Sequence, residues 1–276
     1  MAPRSRAIRE AGTAPPVRRG YFECRYGQLH VHNAMPRGGG FEEGTTLVCL
    51  HETPLTGRMF DGIQKILGRD RSVYAPDLPG YGESDGPNAQ PTIEDYAASV
   101  GDFLDTMRFR QIDVLGCQTG ALIAGELAVA RPAQIRRVVL AAVPPFNDQD
   151  RAQFMRSPWP GSASADGSHM EREWSRSVAT AKRPLPTELT ARRVATALYN
   201  GTNASWGVYA AMHYAARERL GRISQPVLLL NSADEPMTRV RELMPKARFV
   251  DFPRDGVGLC ETAPAAVADA VAEFLR

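Results

Sequence analysis

Residues 111–128 read Gln111-Ile-Asp-Val-Leu-Gly-Cys-Gln-Thr-Gly-Ala-Leu-Ile-Ala-Gly-Glu-Leu-Ala128. The apolar run that opens this stretch predicts a buried strand, and the residues after Gly120 predict a helix. Gly116 and Gly120 flank the turn between them, so strand and helix can approach closely. The apex of the turn is Gln118. A turn of the form G-x-S-x-G presents a strained serine nucleophile at this point, and an amide cannot attack as a serine does.

Length and composition limit the classes of protein to consider. The chain has 276 residues, of which 43% are hydrophobic and 23% are charged, and its net charge is +2. These values predict one large α/β domain with an insertion. A net charge of +2 does not indicate a strongly basic face, so nucleic acid is not an expected partner.

The first 20 residues predict a flexible tail. They contain prolines and five arginines but no apolar run of the length that an export signal needs. No stretch approaches the roughly 20 apolar residues of a membrane span. The four cysteines are widely separated and form no C-x-x-C pair, which favours reduced thiols and a cytoplasmic location.

Strand and helix signals alternate along most of the chain, which predicts a mostly parallel sheet covered by helices on both faces. The predicted strands are 21–26, 28–34, 45–50, 72–75, 111–115, 136–143, 226–231 and 248–252. The predicted helices between and after them are 59–67, 92–107, the helix after Gly120 through 130, and 262–276.

The alternation breaks between residues 144 and 221. This region holds all three tryptophans and predicts helical pieces at 169–181, 187–199 and 204–219. We therefore predict a helical cap insertion at 145–220, between core segments 21–144 and 221–276.

Three further motifs occur in an order that identifies a family resemblance. They are Leu50-His-Glu-Thr-Pro54, Ala75-Pro-Asp-Leu-Pro-Gly-Tyr-Gly-Glu-Ser84 and Pro226-Val-Leu-Leu-Leu-Asn-Ser-Ala-Asp234. Together with the turn at Gln118, they resemble the α/β-hydrolase family from about Tyr21 to Arg276. The resemblance implies the α/β-hydrolase fold, with a mostly parallel eight-stranded sheet flanked by helices and a helical cap insertion.

The catalytic residues of that family carry over unevenly. Asp234 matches the acid, but the apex serine is replaced by Gln118 and the histidine position falls on Val257. A second register, anchored on Glu261, places Gly256 there instead, and no histidine follows His213. Because a serine nucleophile needs a neighbouring base, the resemblance does not imply an esterase, lipase, epoxide hydrolase or dehalogenase mechanism.

What the resemblance retains is an oxyanion hole. The backbone N–H groups of Thr53 and Thr119 would be its donors, and Gln118 adds an amide that can donate and accept. A carbonyl, enolate or phenolate could bind there. The candidate bases are Glu52, which replaces a glycine of the family pattern, and Asp234. The alternatives are a solvent-facing or salt-bridged Glu52 and an Asp234 that only caps its loop.

Other candidates have both a substrate-binding and a structural interpretation. His51 is either a substrate contact or the structural hydrogen-bonding residue that the resemblance implies. Trp206, Tyr209 and His213 share one face of an insertion helix and would form either the roof of the pocket, next to Val257, or part of the core. Cys117 lies beside the apex and is interpreted as a packing residue.

Three function classes remain open. The first is a non-hydrolytic enzyme of bacterial secondary metabolism that promotes cyclisation or carbon–carbon bond formation on a small aromatic or polyketide-like metabolite. The second is a non-catalytic ligand-binding protein, and the third is a hydrolase rebuilt from Cys117 and His213. No phosphate loop, dinucleotide fingerprint or metal-ligand motif occurs, so we expect no cofactor, no metal and a small-molecule substrate. The oligomeric state stays open, with a homodimer as one option.

Overall fold

A computed structural model of the protein describes residues 14–37, 44–144, 163–180, 184–232, 238–252 and 258–276. Its strands form one eight-stranded sheet with the order β1-β2-β4-β3-β5-β6-β7-β8. The strands are β1 (Arg18–Cys24), β2 (Gly27–Ala34), β3 (Leu47–Leu50), β4 (Val73–Pro76), β5 (Ile112–Cys117), β6 (Ile135–Ala141), β7 (Val227–Ser232) and β8 (Arg248–Phe252). Strand β2 pairs antiparallel with β1 and β4, and all other pairs are parallel. The predicted fold class is confirmed.

Helices cover both faces of the sheet. They are α1 (Asp61–Leu67), α2 (Ile93–Thr106), α3 (Thr119–Ala130), α4 (Ser168–Thr180), α5 (Thr187–Tyr199), α6 (Trp206–His213), α7 (Ala216–Leu220), α8 (Thr238–Leu243), α9 (Leu259–Thr262) and α10 (Pro264–Phe274). Two 3-10 turns, Gly57–Phe60 and Gly201–Ser205, precede α1 and α6. Helices α4 to α7 lie between β6 and β7 in the chain, where the insertion was predicted.

Three elements differ from the sequence prediction. Strand β1 begins at Arg18, inside the predicted tail, because Arg18 already pairs with Asn33 of β2. The predicted helix 204–219 is two helices, since Tyr214 takes an extended backbone conformation with φ −76° and ψ 137°. Helix α8 has no predicted counterpart.

The core has one layer on each face of the sheet. The layer formed with α2 and α3 contains large buried side chains such as Tyr96 and Phe103. The layer formed with α1 and α10 contains Phe60, Ile63 and Val271. With apolar layers on both faces, the central parallel strands are buried, as such sheets require. The carboxyl ends of β3 and β5 meet at one edge of the sheet, where loops can place functional groups.

Hydrogen bonds hold the last part of the insertion on the core. The Glu126 carboxylate of α3 accepts hydrogen bonds from the Tyr214 hydroxyl at 2.7 Å and from Arg219 Nε at 2.7 Å. The hydroxyl of buried Tyr81 accepts the backbone N–H of Gly207 at 2.7 Å. The end of the insertion is therefore bound to α3, and the start of α6 is bound to the loop after β4.

Among the residues described, no helix combines the length and the apolar character that a membrane crossing requires.

Candidate functional site

The turn at Gln118 has the strained geometry of a nucleophile elbow. Gln118 takes φ 53° and ψ −117°, although it carries a side chain. A Cβ atom on Gly116 would lie 2.1 Å from the carbonyl oxygen of Gly120, and one on Gly120 would lie 2.1 Å from that of Leu50. Only glycine therefore fits on either side of the apex. Holding a non-glycine residue in such a conformation costs about 1–3 kcal/mol.

The structure brings the two predicted oxyanion-hole residues together. Thr119 is the first residue of α3, so its N–H has no acceptor within the helix. The hydroxyl oxygens of Thr53 and Thr119 lie 3.1 Å apart, and both residues are buried. The first turn of α3 also directs the positive end of the helix dipole to this point. This arrangement favours a group that carries negative charge.

Glu52 is buried and ion-paired. Its carboxylate binds the guanidinium of Arg193, which reaches it from α5 of the insertion. The same guanidinium binds Glu261 on α9. Of the two alternatives for Glu52, the structure therefore excludes the solvent-facing one. Arg193 joins three separate parts of the fold: the loop after β3, the insertion and the C-terminal region.

The electrostatics of this group follow from its burial. Burial opposes the charge of Arg193, but the carboxylates of Glu52 and Glu261 more than offset this and raise the pKa of the guanidinium above its usual value. Burial raises the pKa of Glu261, and Arg193 offsets only part of that effect. If both carboxylates are ionised, one cation faces two anions, and the group has a net negative charge.

His51 is a structural residue, which corrects its assignment as a substrate contact. Its Nδ1 lies 2.9 Å from the backbone oxygen of Glu52, and its Nε2 accepts the N–H of Leu78 at 2.8 Å. The ring is fully buried. Burial also lowers its pKa, which favours the neutral imidazole that this pair of bonds requires. Both ring nitrogens are engaged within the fold, so neither faces a ligand.

The three predicted roof residues lie in two different surroundings. Tyr209 and His213 line a cleft with residues 90–92 and Glu94, beside the start of α2. His213 is exposed, and its Nδ1 donates to the backbone oxygen of Tyr209. Trp206 contacts the loop after β4, where a Cβ on Gly80 would be 3.4 Å from its ring. Tyr209 and His213 are not among the residues that line the cavity beside Glu52 and Thr53, so their role as a roof stays a prediction.

Cys117 and His213 do not form a rebuilt nucleophile–base pair. Cys117 is buried, and a hydrogen bond with Cys260 together with burial raises the pKa of its thiol well above the usual value. Its sulfur lies 3.9 Å from Glu52 Oε2, to which the thiol donates. A protonated thiol is a poor nucleophile. Because His213 lies beside α2, the third function class loses its support.

Two predicted positions, Asp234 and Val257, lie outside the described residues. Their roles as acid or base and as pocket lining stay predictions.

Two cavities lie next to the Arg193 group. The smaller has a volume of about 100 Å³ and is lined by Glu52, Thr53, Leu55 and Arg193, among others. The larger is an open groove of about 510 Å³ between α1, α5 and α9, and it also includes Leu55 and Arg193. These two side chains therefore line both cavities.

One group of possible metal ligands occurs in the described part of the chain. Atoms of His30, His32 and Asp77 all lie within 4.8 Å of one another, and all three residues are buried. However, Asp77 already accepts from His30 Nδ1 at 2.9 Å and from the amides of Gly57 and Glu83. Burial alone would raise the pKa of Asp77, but the two imidazoles hold it well below its usual range. These contacts explain the cluster as a clamp between β2 and the loop after β4.

Sequence reasoning did not identify Arg193 or Glu261 as site residues. Arg193 is one of two adjacent arginines on its helix, and nothing in the sequence distinguishes it from Arg192. His30 and His32 offered a clearer signal, because residues two apart on a strand point to the same face.

A comparison with protein families now places the fold and the elbow in a known context. Residues 47–270 match the profile described as "Alpha/beta hydrolase family". This match covers the loop after β3, the turn at Gln118, the insertion and the start of α10.

Individual relatives are distant. An uncharacterized protein of Mycobacterium tuberculosis is 25% identical over 143 residues, which are 51% of this chain and 40% of that protein. The pimeloyl-[acyl-carrier protein] methyl ester esterase of Aeromonas hydrophila is 30% identical over 125 residues, or 45% of each chain. Each match thus spans less than half of the curated relative's length. The enol-lactonase structure from Burkholderia xenovorans LB400 has a TM-score of 0.72 at 20% identity, covering 93% of this chain and 99% of that chain.

Proposed function

The chain belongs to the α/β-hydrolase family, and on that premise we propose that it is a cofactor-independent, non-hydrolytic enzyme. Its reaction is proton transfer that generates an enolate or phenolate, followed by cyclisation or carbon–carbon bond formation. Its substrate is a small aromatic or polyketide-like metabolite of bacterial secondary metabolism.

The observation that carries this proposal is the conformation of Gln118. The elbow conserves its strained backbone, with φ 53°, although the side chain at the apex is not a nucleophile. Such strain persists where the surrounding structure supports a function. The elbow geometry aims the Thr119 amide and the first turn of α3 at the site, and Thr53 lies beside Thr119. A site that stabilises negative charge explains the geometry without a serine.

The chemistry needs a base as well as an oxyanion hole. In the proposed step, Glu52 takes a proton from carbon next to the substrate carbonyl, and the electron pair moves to the carbonyl oxygen. Hydrogen bonds from the amides of Thr53 and Thr119 then stabilise that oxygen. Loss of one donor of this kind typically costs about 3 kcal/mol in barrier, so two donors can make enolisation fast. Asp234 stays the alternative base.

The names of the relatives indicate a mechanism that differs from this proposal. The names of the esterase and the lactonase state hydrolysis of ester-type bonds. Attack on such a bond also places negative charge on an oxygen. Our proposal keeps that part of the chemistry and omits the covalent intermediate, because Gln118 cannot form one.

A second candidate is a ligand-binding protein without catalysis. It is favoured by the ion-paired state of Glu52, since Arg193 occupies the carboxylate that would act as base. This candidate predicts that ligands raise the melting temperature of the protein and that no ligand is altered.

Deuterium exchange tests the proposal without knowledge of the true substrate. In D₂O, we expect the wild-type protein to accelerate exchange of the methyl protons of 2-acetylnaphthalene, measured by NMR. Gln118→Ala should slow the exchange about tenfold or more, as expected for a lost hydrogen bond to developing charge. Glu52→Gln should abolish it. Gln111→Ala changes an exposed glutamine before β5 and serves as the matched control.

The outcomes separate the candidates. If the wild-type protein binds the ketone but leaves its protons unexchanged, the enzyme proposal is wrong and the binding protein remains. If exchange occurs equally in the wild type and in Gln118→Ala, the assignment of the elbow is wrong.

A further inference from the structure

Arg193 lines both cavities of the site. One is the groove of about 510 Å³, and the other is the cavity of about 100 Å³ that Thr53 also lines. The guanidinium of Arg193 is bound to Glu52 and Glu261. Its side chain is only 14% exposed. A movement of this side chain would therefore alter both cavities.

The two cavities differ in the size of the ligand group that each can hold. A groove of 510 Å³ is within the roughly 300–1,000 Å³ of typical ligand pockets. Its walls include the apolar side chains of Leu55, Met59 and Leu189. The smaller cavity of 100 Å³ has room for only about three water molecules at the volume they have in liquid. An aromatic ring system, which we call the body of a ligand, fits only in the groove. A small oxygen-bearing group, which we call its head, fits in the cavity beside Thr53.

A head that enters the smaller cavity contacts Arg193, because Arg193 lines both cavities. The guanidinium is bound to two carboxylates, and a buried charge that loses its partner is strongly unfavourable. Arg193 can leave Glu52 only if another oxygen takes over its hydrogen bonds. A ketone or phenol oxygen that enters from the groove offers that acceptor.

We propose that Arg193 is a substrate-operated gate, in which the oxygen of the substrate head replaces Glu52 at the guanidinium. The exchange has two results. It admits the head to the cavity beside Thr53, and it frees Glu52 to accept a proton. That proton comes from the carbon next to the carbonyl, and its bonding electrons move to the carbonyl oxygen, which accepts hydrogen bonds from Arg193 and from the amides of Thr53 and Thr119. The substrate therefore combines an apolar body of groove size with one small oxygen-bearing head.

This proposal rests on the proposed function for the role of Glu52 as base, but its binding step can be tested separately. The probe is 2-acetylnaphthalene, which is neutral, so that a change of protein charge alone has little effect on its affinity. Its dissociation constant is measured by ligand-observed NMR for the wild type and each variant, after circular dichroism has confirmed folding.

The first variant is Glu52→Gln. This change replaces the ion pair between Glu52 and Arg193 with a weaker hydrogen bond, which the ketone displaces more easily. The ketone should therefore bind about fivefold tighter or more. Proton exchange should be lost, because the base is gone. Glu218→Gln is the matched control, because it makes the same change in an exposed carboxylate that is paired with Arg222 and lines neither cavity. Its affinity should equal that of the wild type. An ion pair with a purely structural role predicts unchanged affinity in Glu52→Gln, and that result would overturn the gate.

A second pair of variants tests the groove. Thr196 lines it, whereas Ala195 is exposed on the same helix and does not. We expect Thr196→Trp to fill the groove and weaken binding about tenfold or more, and Ala195→Trp to leave it unchanged. Equal affinity in the two variants, or no binding to the wild type at the solubility limit of the ketone, rejects the groove as the site of the apolar body.

The two proposals fail in different ways. If Glu52→Gln does not bind more tightly but exchange still depends on Gln118, the gate is wrong and the proposed function stands. If Glu52→Gln binds more tightly but no variant and no wild-type protein exchanges protons, the gate stands and the catalytic function is wrong.

Discussion

The side-chain oxygens of Thr53 and Thr119 lie 3.1 Å apart, and this hydrogen bond joins the loop after β3 to the first turn of α3. It fixes the two amides that we assign to the oxyanion hole relative to each other. The two residues are 66 positions apart in the chain. The bond is therefore a tertiary contact that sets the geometry of the site.

This contact predicts a coupling between the two threonines. Thr53→Val and Thr119→Val should each lower the free energy of unfolding, because each leaves a buried hydroxyl without its partner. The double variant should be less destabilised than the sum of the singles by about 1 kcal/mol. Urea unfolding of the four proteins measures this coupling. Strict additivity would show that the hydroxyls do not interact.

Replacement of Gln118 by glycine should change stability and activity in opposite directions. Gln118→Gly should raise the free energy of unfolding by about 1 kcal/mol, because glycine adopts φ 53° without the strain of a side chain. The same variant should slow proton exchange about tenfold or more, since the amide side chain is gone. Arg108→Gly is the control: Arg108 is exposed and has φ 55°, so relief of strain there should stabilise the protein and leave exchange unchanged.

The glycines beside the apex predict a large effect of one methyl group. Gly120→Ala would place a Cβ 2.1 Å from the carbonyl oxygen of Leu50, a backbone atom that cannot move aside. We expect a loss of about 3 kcal/mol or more in the free energy of unfolding. In Gly221→Ala the closest atom to the new Cβ is 3.3 Å away, a contact that a shift of a few tenths of an ångström relieves, so the loss should be much smaller. Thermal melts of both variants check the difference.

Asp77 predicts the response of stability to acid. Its pKa is well below the usual range in the folded protein, so the unfolded chain binds the proton more strongly. The stability it contributes is present above the unfolded pKa of about 4 and decreases as the pH falls below it. Asp77→Asn should cost about 3 kcal/mol at neutral pH and flatten this acid-side decrease. Asp70→Asn alters an exposed carboxylate and should retain the wild-type profile, as urea unfolding across pH would show.

The cysteines predict a selective pattern of alkylation. Cys49, Cys117 and Cys260 are buried, whereas Cys24 is half-buried. Burial also raises the pKa values of Cys49 and Cys117 well above normal, so both stay neutral thiols at mildly alkaline pH. Iodoacetamide should therefore label only Cys24 in the native protein and all four cysteines in urea, as mass spectrometry would show. Native labelling of Cys117 would contradict the buried thiol.

The fold was predictable from sequence because its signals are local. The glycines around Gln118, the hairpin at Gly27 and the alternation of strands and helices each depend on neighbouring residues. The adjacency of Thr53 and Thr119 followed from the family resemblance. Arg193 could not be predicted, since its partners Glu52 and Glu261 are 141 and 68 positions away and meet it only in the folded chain. The surroundings of His213 could not be predicted, because the position of its helix beside the start of α2 depends on tertiary packing.

Glu126 restricts how this domain could be shortened. Its carboxylate is buried on α3, and its hydrogen-bond partners Tyr214 and Arg219 both belong to the insertion. Removal of the insertion would take away both partners of this carboxylate, on the same helix that begins at the elbow. A shortened version of the protein for engineering should therefore keep the segment that carries Tyr214 and Arg219.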